Sequence, residues 1–235
     1  MKQEFIRTAA LYGEENMQKL TTSRVALFGV GGVGSYALEA LVRSGIGNID
    51  IFDNDTVSVS NINRQLIALQ NTVGRPKTEV AAARARLINP DVNLKCFNMF
   101  FLPENADTVD FSAYDYIIDA VDTVAAKIEL VMRAEENGIP VISVMGTGNK
   151  TDPTLLRVDD IYKTSGCPLA RVMRTELKKR GIKRLKTVWS PEKSLTPNHL
   201  AEKKENGRVA PASTAFVPAT AGLIAAACVV NDLTK

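Results

Sequence analysis

Short apolar runs alternate along this chain with segments whose apolar residues recur at the three- and four-residue spacing of a helix. The apolar runs predict strands over residues 25–30, 48–52, 92–100, 114–121 and 140–145. The segments with helical spacing predict helices over residues 35–43, 77–88 and 124–137. This alternation is typical of a sheet with helices on both faces, so we expect an α/β fold with a Rossmann-like, doubly wound, mostly parallel sheet.

The alternation weakens beyond residue 154, which indicates a smaller C-terminal extension with antiparallel and helical parts. Its predicted elements are a strand over 155–158, a helix over 168–180, a strand over 185–189 and a mobile polar loop over 190–207. Residues 218–230 are small and apolar but too few to span a bilayer, so we expect a helix packed against the sheet or at a dimer contact. We interpret residues 1–235 as a single domain.

A glycine-rich turn separates the first predicted strand from the first predicted helix. Its glycines are Gly29, Gly31, Gly32 and Gly34. Glycines at these positions allow a tight turn, close approach of the backbone to a phosphate and close packing of helix on strand. A strand, a glycine turn and a helix in this order form the context in which such a fingerprint binds a nucleotide phosphate. The alternative is a glycine-rich turn that binds nothing.

Polar residues follow the second predicted strand. Asp53 comes about twenty positions after the glycines, where an acidic residue usually accepts the ribose hydroxyls of a nucleotide. The polar residues after it are Asp55, Asn61, Arg64, Gln65 and Lys77. A dinucleotide dehydrogenase needs little beyond Asp53, so the added amides and cations indicate other chemistry at this sheet edge. The alternatives are that Asp55 caps the next turn and that Arg64 and Lys77 are solvated helix charges.

The motifs Asp53-x-Asp55, Asn61-x-x-Arg64-Gln65 and the distal Lys77 resemble those of the ThiF, MoeB and HesA family, which is related to the ubiquitin-activating enzymes. The resemblance extends over nearly the whole chain. It implies a single ThiF-type adenylating domain, with a nucleotide-binding core over about 20–150 and a substrate-side extension over about 151–235 that holds a crossover loop and the C-terminal helix. It also implies ATP and Mg²⁺ as cofactors and a carboxylate as the group that is adenylated.

The resemblance implies a role for each site residue. Asp53 would bind the ribose hydroxyls. The residues expected to hold the phosphates and to offset charge on the α-phosphate are Asn61, Arg64 and Lys77. Asp122 would hold Mg²⁺ on the phosphates, whereas Asp119 ends a buried apolar run and is expected to be structural. Arg7 would reach a nucleotide site, which in related dimers is that of the partner subunit, and a homodimer is therefore expected.

Composition and cysteine usage narrow the class of protein. The chain has 235 residues, of which 45% are hydrophobic, and it contains neither a signal-like N-terminal segment nor an apolar run of bilayer length. We therefore expect a cytoplasmic protein with no membrane partner. The cysteines Cys96, Cys167 and Cys228 form no CxxC pair, so the structural zinc of carrier-activating relatives is not expected. Cys228 is expected in the core, and Cys167 as a buried or helix-starting residue, with a nucleophile as the alternative.

A basic segment lies in the C-terminal extension. Residues 171–193 contain nine Lys or Arg and two Glu, although the whole chain carries a net charge of only +3. Such a concentration of positive charge is a candidate footprint for a phosphate backbone, and a solvated helix face is the alternative. The candidate nucleic-acid-binding residues are Arg171, Arg174, Lys178, Lys179, Lys183 and Arg184.

Residues 5–13 and 161–169, with the basic segment, resemble the branch of the family that dehydrates threonylcarbamoyladenosine in the tRNA anticodon loop. This implies adenylation of the threonine carboxylate with release of pyrophosphate, and then ring closure by a neighbouring urea atom with release of AMP. No protein nucleophile is needed.

Two other functions stay open. The first is adenylation of the C-terminal carboxylate of a ubiquitin-like sulfur carrier, with thiol dependence at Cys167. The second is a nucleotide-sensing scaffold or a dinucleotide oxidoreductase, in which the candidate ATP-binding residues would have no purpose. A monovalent cation site and a sulfur-trafficking or desulfurase-type protein partner are further expectations of the family, although no motif in the chain indicates either.

Overall fold

The computed structural model describes residues 2–200 and 210–235. Within them, the strands are β1 (Arg24–Phe28), β2 (Asn48–Phe52), β3 (Asn93–Phe97), β4 (Tyr116–Asp119), β5 (Val141–Val144), β6 (Arg157–Asp160) and β7 (Lys186–Trp189). The α-helices of the same residues are α1 (Ile6–Thr22), α2 (Gly34–Arg43), α3 (Lys77–Ile88), α4 (Val124–Asn137), α5 (Pro168–Lys179) and α6 (Phe216–Leu233). Short 3₁₀ turns occur in several of the connections, for example at Val59–Asn61.

The seven strands form one sheet in the order β3-β2-β1-β4-β5-β7-β6. Neighbouring strands run parallel except β6 and β7, which pair antiparallel. The expected α/β fold with a mostly parallel sheet is therefore confirmed, and the antiparallel pair lies at one edge. The strand order reverses between β1 and β4, and open sheets of this kind bind ligands at the carboxyl ends of the strands around such a reversal.

The central strands are buried on both faces, which explains why they read as continuous apolar runs. In β1, Val25 and Leu27 face one apolar cluster, whereas Ala26 and Phe28 face another. The first cluster includes the inner faces of α2, α3 and α6, and the second includes that of α4. The Phe28 ring stacks on Phe52 of β2, with ring centroids 4.2 Å apart. The carboxyl ends of β1 and β2 are thereby held together beside the polar residues that follow them.

Some elements differ from their predicted bounds. The strand predicted over 92–100 ends at Phe97, and the one predicted over 155–158 is displaced to Arg157–Asp160. The displacement has a local cause, because Pro153–Leu155 forms a 3₁₀ turn in which the Asp152 carboxylate accepts the Thr154 N–H. Residues 190–200 contain neither helix nor strand, whereas 201–209, the rest of the predicted loop, lie outside the described residues.

The C-terminal helix α6 is longer than the segment 218–230 that the sequence indicated. By length and composition it is the one helix in the described part of the chain that could cross a membrane, but half of it is buried inside the fold. A Cβ on Gly222 would lie 2.2 Å from the Val33 carbonyl oxygen. The backbone of α6 is therefore in direct contact with the backbone at the start of α2. The prediction of a helix packed in the domain is confirmed.

A half-buried carboxylate fixes the far end of α6 to the sheet. Asp232 accepts hydrogen bonds from the Tyr116 hydroxyl of β4 at 2.8 Å, from Lys186 of β7 and from Lys235 at 2.7 Å. Burial by itself would raise the pKa of Asp232, but the hydrogen bonds from these three groups outweigh it and hold the pKa at about 2. The charged form of Asp232 therefore stabilises the folded state.

Asp232→Asn is expected to lower the free energy of unfolding by about 1–2 kcal/mol at neutral pH. The folded-state pKa lies below the unfolded value of about 3.9, so this contribution is complete above about pH 4 and is lost as pH falls through about 2. Denaturant unfolding at about pH 7 and about pH 2.5 measures the change. Exposed Glu14→Gln is the matched control, and a deficit for Asp232→Asn that is equal at both pH values would contradict the prediction.

Candidate active site

A cleft of about 1100 Å³ opens at the carboxyl ends of β1, β2, β4 and β5. One part is lined by residues that the sequence analysis selected: Gly29, Gly31, Gly32, Asp53, Asp55, Asn61, Arg64, Gln65, Lys77 and Asp122. The other part is lined by residues after β5, by the start of α5 and by segments before α6, and these include Gly146, Asn149, Lys150, Cys167 and Ser213. A single cleft therefore joins the predicted nucleotide site to a second region.

The glycine turn is packed so tightly that two of its positions exclude any side chain. Gly29 has φ of 88°, and a Cβ there would lie 2.8 Å from the Ala120 carbonyl oxygen. A Cβ on Gly34 would lie 1.8 Å from the Gly29 carbonyl oxygen. Gly34 does not line the cleft, so its role is the packing of α2 on the turn. At Gly31 the nearest atom to an added Cβ is the Gln65 side-chain nitrogen at 3.8 Å, so this backbone faces the open cleft.

Asp53, Asp55 and Lys77 form a charged group at the end of β2. The Asp53 carboxylate accepts the Val30 N–H at 2.7 Å and the Asp55 N–H at 2.9 Å, which fixes the carboxylate against the glycine turn. Each of its oxygens can accept one more hydrogen bond, as a ribose would require. Burial raises the pKa of Asp53, and the nearby Lys77 ammonium opposes that rise.

Lys77 is only 5% exposed, and its ammonium lies 2.6 Å from an Asp55 oxygen and 3.9 Å from an Asp53 oxygen. Lys77 is therefore not a solvated helix charge, although it lies on the first turn of α3. The Asp55 carboxylate pairs with this ammonium. The alternative prediction for Asp55 was that its side chain caps the next turn. A phosphate that reached Lys77 would compete with Asp55 for this ammonium.

The 3₁₀ turn after β2 directs amide and guanidinium groups to the cleft. The Asn61 side-chain oxygen accepts the Ser58 N–H at 3.1 Å, so its amide nitrogen is the group left to donate to a ligand. Asn61 is buried. One nitrogen of the Arg64 guanidinium donates to the Ser60 carbonyl at 2.7 Å and to the Asn63 side-chain oxygen at 2.9 Å, and its remaining donors have no acceptor among the described residues. Gln65 is also buried, and its side-chain oxygen has no hydrogen-bond partner among the described residues.

The two aspartates after β4 occupy different environments. Asp122 is exposed and lines the cleft, whereas Asp119 is fully buried and accepts a hydrogen bond from Lys127 at 2.9 Å. No cluster of three or more metal-binding side chains occurs in residues 2–200 and 210–235. A nucleotide-bound Mg²⁺ requires none, because it takes one or two protein carboxylates and completes its shell with phosphates and water. Asp122 fits that requirement.

Arg7 does not line the cleft of its own chain. It is exposed on α1, and α1 contacts the C-terminal end of α6 through a 2.8 Å hydrogen bond from Tyr12 to Asn231. The cleft lies at the other end of α6, beside Pro218. Because Arg7 does not reach the cleft of its own chain, its predicted role at a nucleotide site stays a prediction that concerns the cleft of a second copy.

The residues after β5 were not among the predicted site residues, although they line the cleft. Asn149 is the only residue besides glycine with positive φ among the described residues, and its backbone and side chain both bond to Ala212. The buried Lys150 ammonium donates to the Ser190 carbonyl at 2.7 Å and to the Glu192 carbonyl at 3.0 Å. Burial lowers the pKa of Lys150, and the negative charge of Glu192 opposes that change. The sequence GTGN directly after a strand was the available signal.

The cysteine and the basic residues of the extension are placed as follows. Cys167 is buried and lines the cleft immediately before α5, as expected for a buried, helix-starting residue. The exposed members of the basic set are Arg171, Lys178, Lys179, Lys183 and Arg184, and Lys179 is paired with Glu176. Arg174 is half-buried, and its guanidinium donates to the Thr164 carbonyl at 3.0 Å. Its expected contact with nucleic acid stays a prediction, and one nitrogen of the guanidinium is already engaged within the fold.

Comparisons with known proteins agree with this arrangement. The chain matches the ThiF family over residues 5–234. It is 42% identical to the tRNA threonylcarbamoyladenosine dehydratase of Bacillus subtilis, with 100% of this chain and 96% of that protein covered. The crystal structure of the Escherichia coli dehydratase TcdA with AMP has a TM-score of 0.90 and 35% identity, with 98% of this chain and 94% of that one covered. The ATP complex of that enzyme has a TM-score of 0.87 at 35% identity, and coverage is 98% and 93%. The protein described here therefore belongs to the ThiF family.

Proposed function

We propose that this protein is an ATP-dependent tRNA threonylcarbamoyladenosine dehydratase. The observation that carries the proposal is the single cleft in which Lys77, Arg64 and Asn61 present donors beside the glycine turn while a second region extends under α5. The match to dehydratases along the whole chain supports the choice of substrate. The cleft would hold ATP at the glycine turn and the modified nucleoside of tRNA in the second region.

The charges in the cleft suit the first step, in which a carboxylate attacks the α-phosphorus of ATP and pyrophosphate leaves. Both reactants are anions, so their approach requires cations aligned beforehand. Lys77 and Arg64 supply positive charge, and Asn61 supplies a neutral donor held by Ser58. Asp122 would hold Mg²⁺, which offsets phosphate charge when it is bound.

The second step requires no protein nucleophile. The neighbouring urea atom attacks the activated carbonyl carbon, the bond from that carbon to the oxygen of AMP breaks, and a ring closes. The carboxylate oxygen leaves with AMP, and the urea proton is released, so the nucleoside loses the elements of one water. Cys167 lies in the cleft wall and would exclude water there without forming a covalent intermediate.

The test of this proposal combines purified protein, ATP, Mg²⁺ and tRNA that carries threonylcarbamoyladenosine, followed by mass spectrometry of the digested nucleosides. The expected product is lighter by one water, appears only with ATP, and accompanies one AMP per nucleoside. Cys167→Ser is expected to form it as well. An unchanged nucleoside, together with pyrophosphate exchange only when a ubiquitin-like carrier protein is added, would overturn the proposal in favour of carrier activation.

We also propose that the exposed basic residues of the extension contact the phosphate backbone of tRNA. α5 begins at the cleft wall and ends at Lys179, and Lys183 and Arg184 follow it, so positive charge extends from the cleft over the adjoining surface. Phosphate contacts of this kind fix the position of a nucleic acid without reading its sequence. An anticodon loop that entered the cleft would bring its flanking phosphates to this surface.

The double variant Lys183→Glu/Arg184→Glu is expected to weaken tRNA binding at least about tenfold and to reduce the salt dependence of log Kd by about two. Its affinity for ATP should stay unchanged, because neither residue lines the cleft. Arg86→Glu/Lys95→Glu, which reverses two exposed charges on α3 and β3, is the control. Equal loss of tRNA affinity in both variants would contradict a local contact.

The remaining expectations concern assembly and location. We propose a homodimer in which the Arg7 side chain of each copy enters the cleft of the other, since α1 directs it away from the cleft of its own chain. A cytoplasmic location follows from a tRNA substrate. A monovalent cation site and a desulfurase-type protein partner stay predictions of the family resemblance.

A further inference from the structure

A buried ion pair lies beneath the cleft, where the mechanism makes no use of it. Lys127 of α4 and Asp119 of β4 are both fully buried, and the ammonium lies 2.9 Å from the carboxylate. Ser143 of β5 lies between them, because its hydroxyl donates to Asp119 at 2.5 Å and accepts from Lys127 at 3.2 Å. The third ammonium N–H donates to the Val144 carbonyl at 2.9 Å. Every donor of this lysine is used within the fold.

A contribution to stability does not by itself account for such a pair. Two charges taken out of water lose their hydration, and apolar residues of similar volume usually stabilise a protein interior at least as well. The surroundings of the pair are otherwise apolar, with Ile117, Ala126 and Leu130 buried on the same elements.

The pair holds the loop 120–123 through Asp119. The second Asp119 oxygen accepts the Val121 backbone N–H at 3.3 Å, whereas the Lys127 backbone N–H donates to the Thr123 carbonyl at 3.0 Å as part of the first turn of α4, independently of the lysine side chain. Asp122, the cleft carboxylate, directly follows Val121. The Ala120 carbonyl of the same loop is in contact with the glycine turn, where it would lie 2.8 Å from a Cβ on Gly29. A shift of this loop would move both the metal-binding carboxylate and the phosphate turn.

The same ammonium also bonds to the strand that leads into the second region of the cleft. Val144 is the last residue of β5, and the next residues, 145–150, line the cleft. One buried cation thus bonds to the end of β5 and, through Asp119, to the loop after β4. Its hydrogen bonds set the distance between the loop that carries Asp122 and the loop that lines the substrate region.

We propose that Lys127, Asp119 and Ser143 are positioning residues, which hold the Asp122 loop and the loop after β5 in the relative arrangement that adenylation needs. The inference rests on the proposed function, since it assigns the two loops to nucleotide and substrate. None of the three side chains lines the cleft, so their effect passes through Asp122 and residues 145–150.

The test compares Lys127→Met/Asp119→Leu, which removes both charges together, with Ser143→Ala, which removes only the bridging hydroxyl. Each variant is examined by thermal melting and by ATP binding without tRNA, with and without Mg²⁺. The double variant is expected to melt near wild type, because no charge is left buried without a partner. Its ATP affinity should lose the enhancement by Mg²⁺, as in an Asp122→Asn reference, and its kcat for dehydration should fall about 100-fold.

Ser143→Ala keeps the ion pair and should therefore fold whether or not the double variant does. It is expected to lower both kcat and the enhancement of ATP affinity by Mg²⁺ by about fivefold, which is the effect of one hydrogen bond. The KM for tRNA should change little. A Ser143→Ala variant with wild-type enhancement by Mg²⁺ would overturn the inference. ATP binding requires no tRNA, so a wild type that binds ATP with Mg²⁺ yet leaves tRNA unchanged refutes the proposed function alone.

Discussion

Lys77→Ala is expected to reduce kcat for tRNA dehydration by about 100- to 1000-fold, because it removes a buried cation from the place where charge builds on the α-phosphate. Lys77 is almost completely buried, and its ammonium already lies beside the Asp53 and Asp55 carboxylates. Its position is therefore set before ATP binds. Its removal also leaves Asp53 and Asp55 beside the incoming phosphates with no compensating cation. Repulsion then weakens ATP binding as well as catalysis.

The measurement is formation of AMP and of the dehydrated nucleoside under saturating tRNA. Lys95→Ala is the matched control, since Lys95 is an exposed lysine of β3 outside the cleft and should have wild-type activity. Thermal melting separates lost chemistry from lost folding. Asp55 is 60% exposed and stays hydrated without its partner, so we expect the variant to stay folded. A Lys77→Ala enzyme that retained more than about a tenth of kcat would exclude the assigned role.

Gly34→Ala is expected to lower the free energy of unfolding by about 3 kcal/mol or more, the upper range for steric overpacking. The added methyl carbon would lie 1.8 Å from the Gly29 carbonyl oxygen, so the turn and α2 would have to separate. This separation would disturb Gly29, which itself contacts Ala120. Denaturant unfolding monitored by circular dichroism measures the loss.

Gly31→Ala is the matched variant, since the same methyl group there meets no atom closer than 3.8 Å. We expect its stability to stay within about 1 kcal/mol of wild type, while its ATP affinity falls at least about tenfold because the methyl group occupies space that a phosphate needs. The two substitutions thus separate the packing role of this turn from its binding role. Equal destabilisation by both would contradict the difference in packing.

The parts of the fold that the sequence predicts are those with strong local patterns. β2, α3 and α4 have their predicted bounds, because an apolar run or a helical period ends at a clear stop such as Gly138. α1 was not predicted, since it buries only Met17 and Leu20 and its pattern is correspondingly weak. The short strands of the extension depend on pairing with each other, and β6 is displaced accordingly.

In the site, too, residues marked by a local sequence pattern could be predicted, whereas residues that depend on distant partners could not. The polar residues after β1, β2 and β4 could be grouped because consecutive parallel strands end at one edge of the sheet. Lys127 and Lys150 could not be selected, because the acceptors that allow a buried lysine include the carbonyls of Val144 and Ser190, which are distant in sequence. For Arg174 the charge was evident, but only the folded chain reveals that Thr164 engages it.

The ion pair between Lys77 and Asp55 means that the cleft carries its own counter-ion between turnovers. Asp55 belongs to the same chain and follows Asp53 by two residues. Its carboxylate therefore stays close to the Lys77 ammonium, at an effective concentration that does not depend on the protein concentration. A nucleotide phosphate that pairs with Lys77, as proposed, would compete with this carboxylate, and Asp55 could turn into water at little cost because its side chain is already 60% exposed. Departing products would meet the same competitor, whose return to the ammonium would shorten the time for which they stay bound.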